Sequence, residues 1–245
     1  MLIDDHTRIG SVTKTFTGTA VLQLVDQGRI RLSDPISRYI DGVPNGDAIT
    51  LDMLGRMRSG LPDYSETDTF MTRLYAEEPA GPQAFPTTPR ELVDWAFRQP
   101  VDFAPNTQWA YSNTNTVLLG LVVEQVSGLS LADYLTQNVF GPLGLTQTSF
   151  PADGVLPAPY AHGYNQGPDG TVYDATLWNP SWGYAAGAVV STLSDIRTWA
   201  SAVGTGSLLR PDTQSQRIAD GSTVATPEHL YELGPQPPQL LDADD

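Results

Sequence analysis

The chain has 245 residues, of which 40% are hydrophobic and 17% are charged, and its formal net charge is -15. This composition is ordinary for a globular protein and argues against wholesale disorder. The negative charge argues against nucleic acid or an anionic membrane as a partner, because both attract basic surfaces. Cysteine is absent, which excludes disulfides, thiolate catalysis and Cys-ligated metals.

The sequence carries no signal for a cofactor, for export or for a membrane span. Its three histidines lie far apart and lack the spacing of metal ligands, and no zinc, nucleotide or flavin motif is found. The N-terminus "MLIDDHT" lacks a basic region followed by an apolar one, and no apolar run approaches the roughly 18 residues of a membrane span. We therefore predict no cofactor and no membrane span, and the localisation stays open.

The first helix is predicted directly after Ser11. Apolar residues recur every four positions over residues 12–24, and Gly28 is a natural stop. The next stretch, "GRIRLSDPISRYI", is interpreted as an extended crossing with a turn at its Asp-Pro pair. A second short helix is predicted over residues 50–60.

The middle of the chain begins with a loop and continues with a well-signalled helix. Residues 62–87 lack clear periodicity and are predicted as loop with one short helix around residues 68–76. In "TPRELVDWAF", Thr88 is the predicted cap, Pro89 takes the first helical position and Glu91 closes a capping box.

Three more helices are predicted in the second half of the chain. "NTVLLGLVVEQVSG" is apolar almost all round, which is typical of a central buried helix, and it stops at Gly128. "SLADYLTQNVFGPLG" starts at Ser130, and "STLSDIRTWASAVGTG" is the last predicted helix, capped near Thr192. Residues 151–190 look irregular, with a hairpin turn predicted in "NQGPDGTVY".

Ser11 and Lys14 form the first candidate site. Lys14 is the only lysine among thirteen Lys and Arg residues, and residues three apart share one helix face. A serine hydroxyl is a poor nucleophile until a base removes its proton. Arginine stays protonated, whereas a desolvated lysine becomes neutral and can act on the hydroxyl. Taken alone, however, Ser-x-x-Lys is more often a helix cap followed by a solvated lysine.

The second candidate element is Tyr111-Ser112-Asn113, directly before the apolar helix. A Ser-Asn-type element is one of two companions that make Ser-x-x-Lys a catalytic signature. Tyr111 is interpreted as a proton carrier whose acidity the Lys14 cation raises. Asn113 is interpreted as a partner of Lys14 and of a substrate amide carbonyl. The alternatives are that Tyr111 is a core aromatic and Asn113 a helix cap.

Five segments together, running from about Arg8 to Gly234, carry a family resemblance. They are "RIGSVTKTFTGTAVLQLVDQGRIRLSDPISRYI", "SGLPDY", "FAPNTQWAYSNTNTVLLGLVVEQVSG", "FGPLGLTQTSF" and "AAGAVVSTLSDIRTWA". In this order they resemble the serine β-lactamase-related family of class C β-lactamases, D-alanyl-D-alanine carboxypeptidases and related esterases. The resemblance implies an α+β, β-lactamase/transpeptidase-like fold.

The resemblance also implies a reaction and its residues. Ser11 would be the acylated nucleophile, Lys14 its activator, Tyr111 the general base and Asn113 a substrate contact. The implied substrate is a small molecule or peptide with an amide or ester bond, such as a β-lactam, a D-alanyl peptide or a small ester. No nucleic acid partner is expected.

The sequence departs from the family pattern at both ends. A Lys/His-x-Gly motif normally follows a segment like "LYELG", residues 230–234, and none is found there; the His162-Gly163 pair lies too early to be this motif. Family members also carry a helix and two strands ahead of the nucleophile, where ten residues precede Ser11 here. We therefore expect a truncated chain that keeps the helical domain and the nucleophile helix, with the antiparallel sheet largely missing. Self-association through the exposed sheet-facing surface is expected to follow.

This pattern predicts a division of the chain into four parts and leaves three possible functions. The chain is a serine hydrolase, a truncated inactive fragment of one, or a non-catalytic binding module on the same scaffold. The intact set of site residues argues against the binding module. The parts are a nucleophile helix with the remnant of an α/β domain (1–42), a helical and loop domain with the Tyr-Ser-Asn motif (43–190), a return helix toward the α/β domain (191–234) and a disordered tail (235–245).

Overall fold

A computed structural model of the chain describes residues 2–219, apart from residues 79, 80 and 82. The predicted tail at 235–245 and the "LYELG" segment at 230–234 lie outside the described residues. The helices are α1 (Thr13–Asp26), α2 (Leu51–Gly55), α3 (Asp68–Glu77), α4 (Pro89–Phe97), α5 (Asn113–Ser127), α6 (Leu131–Leu135), α7 (Gly141–Leu143), α8 (Tyr184–Gly187), α9 (Leu193–Thr205) and α10 (Pro211–Ala219). The strands are β1 (Thr7–Arg8), β2 (Tyr164–Gln166), β3 (Val172–Asp174) and β4 (Val190–Ser191).

Helices α1 and α5 lie side by side at the centre of the molecule and carry Lys14 and Asn113. The side chains of α1 are buried without interruption from Thr13 to Leu24, and those of α5 from Thr114 to Gly120. A helix buried on all sides must lie inside the core rather than on its surface. The prediction that α5 is a central helix is confirmed, and its stop at Gly128 has the expected left-handed backbone, with φ of 77°.

The threonines of α1 explain how a helix with polar side chains is buried on every side. Thr17 donates a hydrogen bond to the carbonyl of Ala185 at 2.8 Å, and Thr19 donates to the carbonyl of Thr15 at 2.8 Å. Burying a hydroxyl without a partner is costly, so these bonds make the buried position tolerable. The bond from Thr17 also ties α1 to α8, which contributes a backbone group to the site.

Strands are few and short in the described residues, where they form two antiparallel pairs. β2 pairs with β3 around the predicted turn in "NQGPDGTVY", which confirms the hairpin. β1 pairs with β4, with Thr7 opposite Ser191. Since β1 leads directly into the turn that carries Ser11, this second pair fixes that turn against the chain that precedes α9.

One predicted helix boundary is wrong. The helix predicted over residues 50–60 ends at Gly55, and the chain then turns through Met57, which has φ of 56°. Gly60 has φ of 74°, and a Cβ there would lie 2.0 Å from the carbonyl oxygen of Phe103. The close approach of residue 103, distant in sequence, therefore requires an irregular chain with glycine at this point.

The helix at 193–205 is not the last one, since α10 follows it. Pro211 stands at its first position, a favoured place for proline. Its start is held by Asp26 at the end of α1, whose carboxylate accepts from the backbone N–H of Arg210 at 2.7 Å and from the hydroxyl of Thr213. These contacts join distant parts of the chain, and the sequence analysis did not find them.

The predicted capping box at the start of α4 is confirmed. The Thr88 hydroxyl accepts from the backbone N–H of Glu91 at 3.2 Å, and the Glu91 carboxylate accepts from the backbone N–H of Thr88 at 2.8 Å. Two amides that would otherwise lack partners at the helix end are thus paired.

Thr88→Ala is expected to reduce the free energy of unfolding by about 0.5–2 kcal/mol, because it removes one of these two bonds. Urea denaturation monitored by circular dichroism measures the change. Glu91→Gln is the matched control, since a glutamine oxygen can still close the box. An unchanged stability in Thr88→Ala would show that water replaces the lost bond at no cost.

No single helix within the described part of the chain is long and apolar enough to cross a membrane. By length and composition alone, one bent pair, Asn113–Ser127 with Leu131–Leu143 at an angle of 79°, passes that test.

Candidate active site

Ser11 lies in a 3-10 turn, Gly10–Val12, that leads into α1, so the helix begins after Ser11 as predicted. The turn is anchored where the backbone N–H of Ile9 donates to the carbonyl of Val189 at 3.1 Å. The expected proximity to Lys14 survives, because Lys14 Nζ lies 2.9 Å from Ser11 Oγ.

Lys14 is buried, with 9% of its surface exposed. Its Nζ lies 2.9 Å from Ser11 Oγ, 2.7 Å from Asn113 Oδ1 and 2.8 Å from the carbonyl oxygen of Ala186. Burial lowers the pKa of Lys14 to about 7, against an opposing effect of the Asp63 carboxylate. The protonated amine donates one hydrogen to each of these three oxygens; when it loses a proton, it can still donate to the two carbonyl oxygens while its lone pair faces the Ser11 hydroxyl.

Tyr111 is the second side chain within hydrogen-bond distance of the Ser11 hydroxyl. Its Oη lies 2.7 Å from Ser11 Oγ and 3.3 Å from Asn113 Oδ1, and Lys14 Nζ lies 5.0 Å from the centre of its ring. The interpretation of Tyr111 as a core aromatic is therefore wrong, because its hydroxyl faces the serine and its side chain is only half-buried.

The expected acidity of Tyr111 is wrong in direction. Burial raises the pKa of Tyr111 to about 12, and the negative charge of Asp63 adds to the rise, while the hydrogen bond to Ser11 opposes it. The prediction depended on a positive charge at Lys14 beside the phenol, but burial also lowers the pKa of that amine. The phenol is consequently protonated at neutral pH and donates a hydrogen bond.

Asn113 is the first residue of α5, whereas the cap position belongs to Ser112. Its Oδ1 accepts from Lys14, and its Nδ2 donates to Asp63 at 2.9 Å and to Ser65 at 3.2 Å. The interpretation as a helix cap is therefore wrong, and contact with Lys14 is observed. Both amide hydrogens are already used, so the contact with a substrate carbonyl stays a prediction that requires one of them to be released.

Two groups at the site were not found from the sequence. Asp63 lies in the quoted segment "SGLPDY" but was given no role. The carbonyl of Ala186 belongs to α8, and a backbone acceptor leaves no signature in the choice of side chain. His162 belongs to a different cluster, with its Nδ1 3.4 Å from an oxygen of Asp174. Among the described residues, no group of three or more acidic or histidine side chains could hold a metal ion.

Comparison with known families assigns the chain to one of them. The family model described as Beta-lactamase matches residues 4–237, which is almost the whole chain. The chain belongs to the beta-lactamase family. The resemblance seen in the sequence is thereby confirmed at the level of the family.

Relatives in the beta-lactamase family include penicillin-binding proteins. Penicillin-binding protein 4* of Bacillus subtilis is 30% identical over 161 residues, which cover 64% of this chain and 34% of that protein. Protein flp of Staphylococcus aureus is 28% identical over 200 residues, covering 78% of this chain and 37% of that protein. The chain thus spans about a third of the length of these curated relatives.

Solved structures of amide-cleaving family members have the same fold. A D-stereospecific amidohydrolase from Streptomyces sp. matches with a TM-score of 0.82 at 33% identity, over 88% of this chain and 65% of that one. A D-amino acid amidase from Ochrobactrum anthropi SV3 matches with a TM-score of 0.75 at 32% identity, over 88% of this chain and 59% of that one. The predicted β-lactamase/transpeptidase-like fold is confirmed, in a chain that covers part of these proteins and is mostly helical in its described residues.

Proposed function

We propose that this protein is a serine hydrolase that forms an acyl-enzyme on Ser11 from an amide or ester substrate. The observation that carries the proposal is the position of Ser11 Oγ, 2.9 Å from Lys14 Nζ and 2.7 Å from Tyr111 Oη. A hydroxyl within hydrogen-bond distance of a buried amine with a pKa near 7 has the base that nucleophilic attack requires.

In this mechanism Lys14 accepts the proton of Ser11 while Ser11 Oγ bonds to the substrate carbonyl carbon. The carbonyl electrons move to oxygen and return as the bond to the leaving amine or alcohol breaks. The leaving group takes a proton from the Tyr111 hydroxyl, and in the second round the attacking water gives a proton back to Tyr111 while Ser11 Oγ, as it leaves the acyl carbon, takes its proton back from Lys14. A water molecule hydrolyses the acyl-enzyme in a second round and regenerates Ser11.

The pKa values favour Lys14, rather than Tyr111, as the group that first removes the proton. At neutral pH a large share of an amine with a pKa of about 7 is already neutral, whereas a phenol with a pKa of about 12 is almost entirely protonated. The general-base role that the resemblance gave to Tyr111 is therefore replaced in our proposal by proton delivery to the leaving group.

The names of the relatives favour amides within the proposed substrate class. A D-stereospecific amidohydrolase and a D-amino acid amidase share the fold, and a penicillin-binding protein shares the sequence pattern. We therefore propose D-amino acid amides, D-alanyl peptides and β-lactams as the first compounds to test, followed by small esters. All of them present a carbonyl carbon to the same nucleophile.

Incubation of the purified, folded chain with a fluorophosphonate or a β-lactam is expected to add one molecule at Ser11. Intact-protein mass spectrometry detects the adduct, and peptide mapping places it. Ser11→Ala is expected to abolish the adduct, while Ser201→Ala, at an exposed serine of α9, keeps it. A chain that circular dichroism shows to be folded and that gives no adduct at Ser11 would sink the proposal and favour an inactive fragment or a binding module.

A further inference from the structure

The buried carboxylate of Asp63 receives hydrogen bonds from two separate parts of the chain. One of its oxygens accepts from the backbone N–H and the hydroxyl of Ser65, each at 2.9 Å. The other oxygen accepts from the backbone N–H and the side-chain Nδ2 of Asn113, each at 2.9 Å. Asp63 is itself only 8% exposed.

Only a group that accepts at both ends satisfies this arrangement. An ionised carboxylate accepts through both oxygens, whereas an amide of the same shape carries two hydrogens at one end. An asparagine at position 63 would therefore direct its NH₂ group at the donors of either Asn113 or Ser65. A buried donor facing a donor costs free energy, so the arrangement is specific for a carboxylate.

The carboxylate fixes which way the Asn113 side chain points. Because Nδ2 is held by Asp63, Oδ1 must face the other side, where it lies 2.7 Å from Lys14 Nζ and 3.3 Å from Tyr111 Oη. We propose that Asp63 is a positioning residue, which orients the Asn113 amide so that its oxygen holds the amine of Lys14 against Ser11. This proposal rests on the proposed function.

The charge of Asp63 acts on the same amine. Of the groups around Lys14, Asp63 carries the opposite charge. The others are neutral: Tyr111 presents a phenol, and Asn113 and Ala186 present carbonyl oxygens. The carboxylate raises the pKa of Lys14 against the larger lowering by burial. Removing the charge, or turning the Nδ2 donor of Asn113 toward Lys14, lowers that pKa further.

A purely structural role is the alternative. Asp63 caps the 3-10 turn Tyr64–Glu66, and it also pairs with the first amide of α5, where the Ser112 side chain makes no capping bond. A cap alone affects stability, and its loss would leave Lys14 against Ser11 in a protein that still folds. Because loss of the Asp63 charge moves the titration of Lys14 in either case, the rate of Ser11 labelling at a pH above the pKa of Lys14 separates the two roles.

Because Lys14 is the only lysine in the chain, ¹³C-labelled lysine gives one side-chain signal in a protein carrying a lysine-free tag. In the wild type, the shift of that signal is expected to titrate near pH 7. In Asp63→Asn the midpoint is expected at lower pH, and the rate of Ser11 labelling is expected to fall by about 10- to 100-fold through misplacement of the amine. Glu66→Gln removes an exposed carboxylate of the same 3-10 turn and is expected to leave both measurements close to the wild type.

Both changes are required in a folded Asp63→Asn protein, and an unmoved midpoint or an unchanged labelling rate overturns the proposal. If Asp63→Asn fails to fold, Asp63→Glu keeps the charge but displaces the oxygens, so slower labelling with a midpoint near the wild type is expected. Labelling of Asp63→Glu at the wild-type rate would then overturn the proposal. A wild-type chain that does not label counts against the proposed function alone, because the titration of Lys14 needs no turnover.

Discussion

Lys14→Arg is expected to slow the acylation of Ser11 by about 10²- to 10⁴-fold, the usual contribution of a positioned general base. Arginine keeps a positive charge and a similar length, but it does not lose its proton at any accessible pH. Lys14 Nζ lies 2.9 Å from Ser11 Oγ and also contacts two carbonyl oxygens. When neutral, it has a lone pair that can take the serine proton, whereas a guanidinium has no such lone pair. The rate of adduct formation with a fluorophosphonate, followed by mass spectrometry, measures the loss.

The pH dependence of the same rate tests the reason for the loss. The pKa of Lys14 is lowered from its ordinary value to about 7, so the neutral, reactive amine is scarce below pH 7 and predominates above it. Acylation of the wild type is therefore expected to rise through pH 7 and to level off, whereas the residual rate of Lys14→Arg should lack this rise. Arg90→Lys, an exchange of the same two residue types at an exposed position of α4, serves as the control. A Lys14→Arg protein with the wild-type rate and pH profile would remove Lys14 from the mechanism.

The lowered pKa of Lys14 also fixes the sign of its effect on stability. The folded chain binds fewer protons at this position than the unfolded chain at every pH between about 7 and the ordinary lysine value of 10.5. The cost of burying the charged amine is therefore present in full below pH 7, and it is relieved as the pH rises. The same burial that makes the amine reactive thus destabilises the fold at acidic pH.

Helix ends were predictable because their signals are local. Thr88 and Ser130 each accept a hydrogen bond from the backbone N–H three residues later, as the sequence analysis proposed for Thr88 and its capping box. The start of α10 depends instead on Asp26, which lies more than 180 positions earlier in the chain. A polar helix held by a distant carboxylate has no pattern of its own for sequence analysis to recognise.

In the candidate site too, local features could be predicted from the sequence and features that depend on the folded chain could not. The spacing of Ser11 and Lys14 predicts their contact directly, and the Tyr111-Ser112-Asn113 element, a companion of Ser-x-x-Lys, adds Tyr111 and Asn113 from about a hundred residues away. The pKa of Tyr111 was predicted in the wrong direction because it depends on how much water the surrounding chain excludes, which only the folded structure defines. The role of Asp63 was missed because its importance lies in the donors that surround it rather than in its place in a motif.

Phe16→Ala is expected to reduce the free energy of unfolding by about 3–5 kcal/mol, the range for a large-to-small change in a well-packed core. Phe16 is fully buried on α1, its ring is stacked on Trp199 with centres 3.9 Å apart, and its edge contacts Phe140 at 5.6 Å. The ring thus joins the helix that carries Lys14 to α9 and to the π-helical turn Thr136–Phe140. Urea denaturation of the variant and the wild type at one pH measures the loss, because the charge effect at Lys14 is then common to both proteins.

Val25→Ala is the matched control, because it shortens a half-buried side chain near the end of the same helix and is expected to cost about 1 kcal/mol or less. A loss in Phe16→Ala no larger than that in Val25→Ala would mean that the core closes over the missing ring. α1 could then move relative to α9, and the 2.9 Å contact of Lys14 with Ser11 would have to be held by Asn113 and Ala186 alone. The expected large loss instead makes the aromatic contact part of what fixes the amine, since a helix that cannot shift keeps its side chains in place.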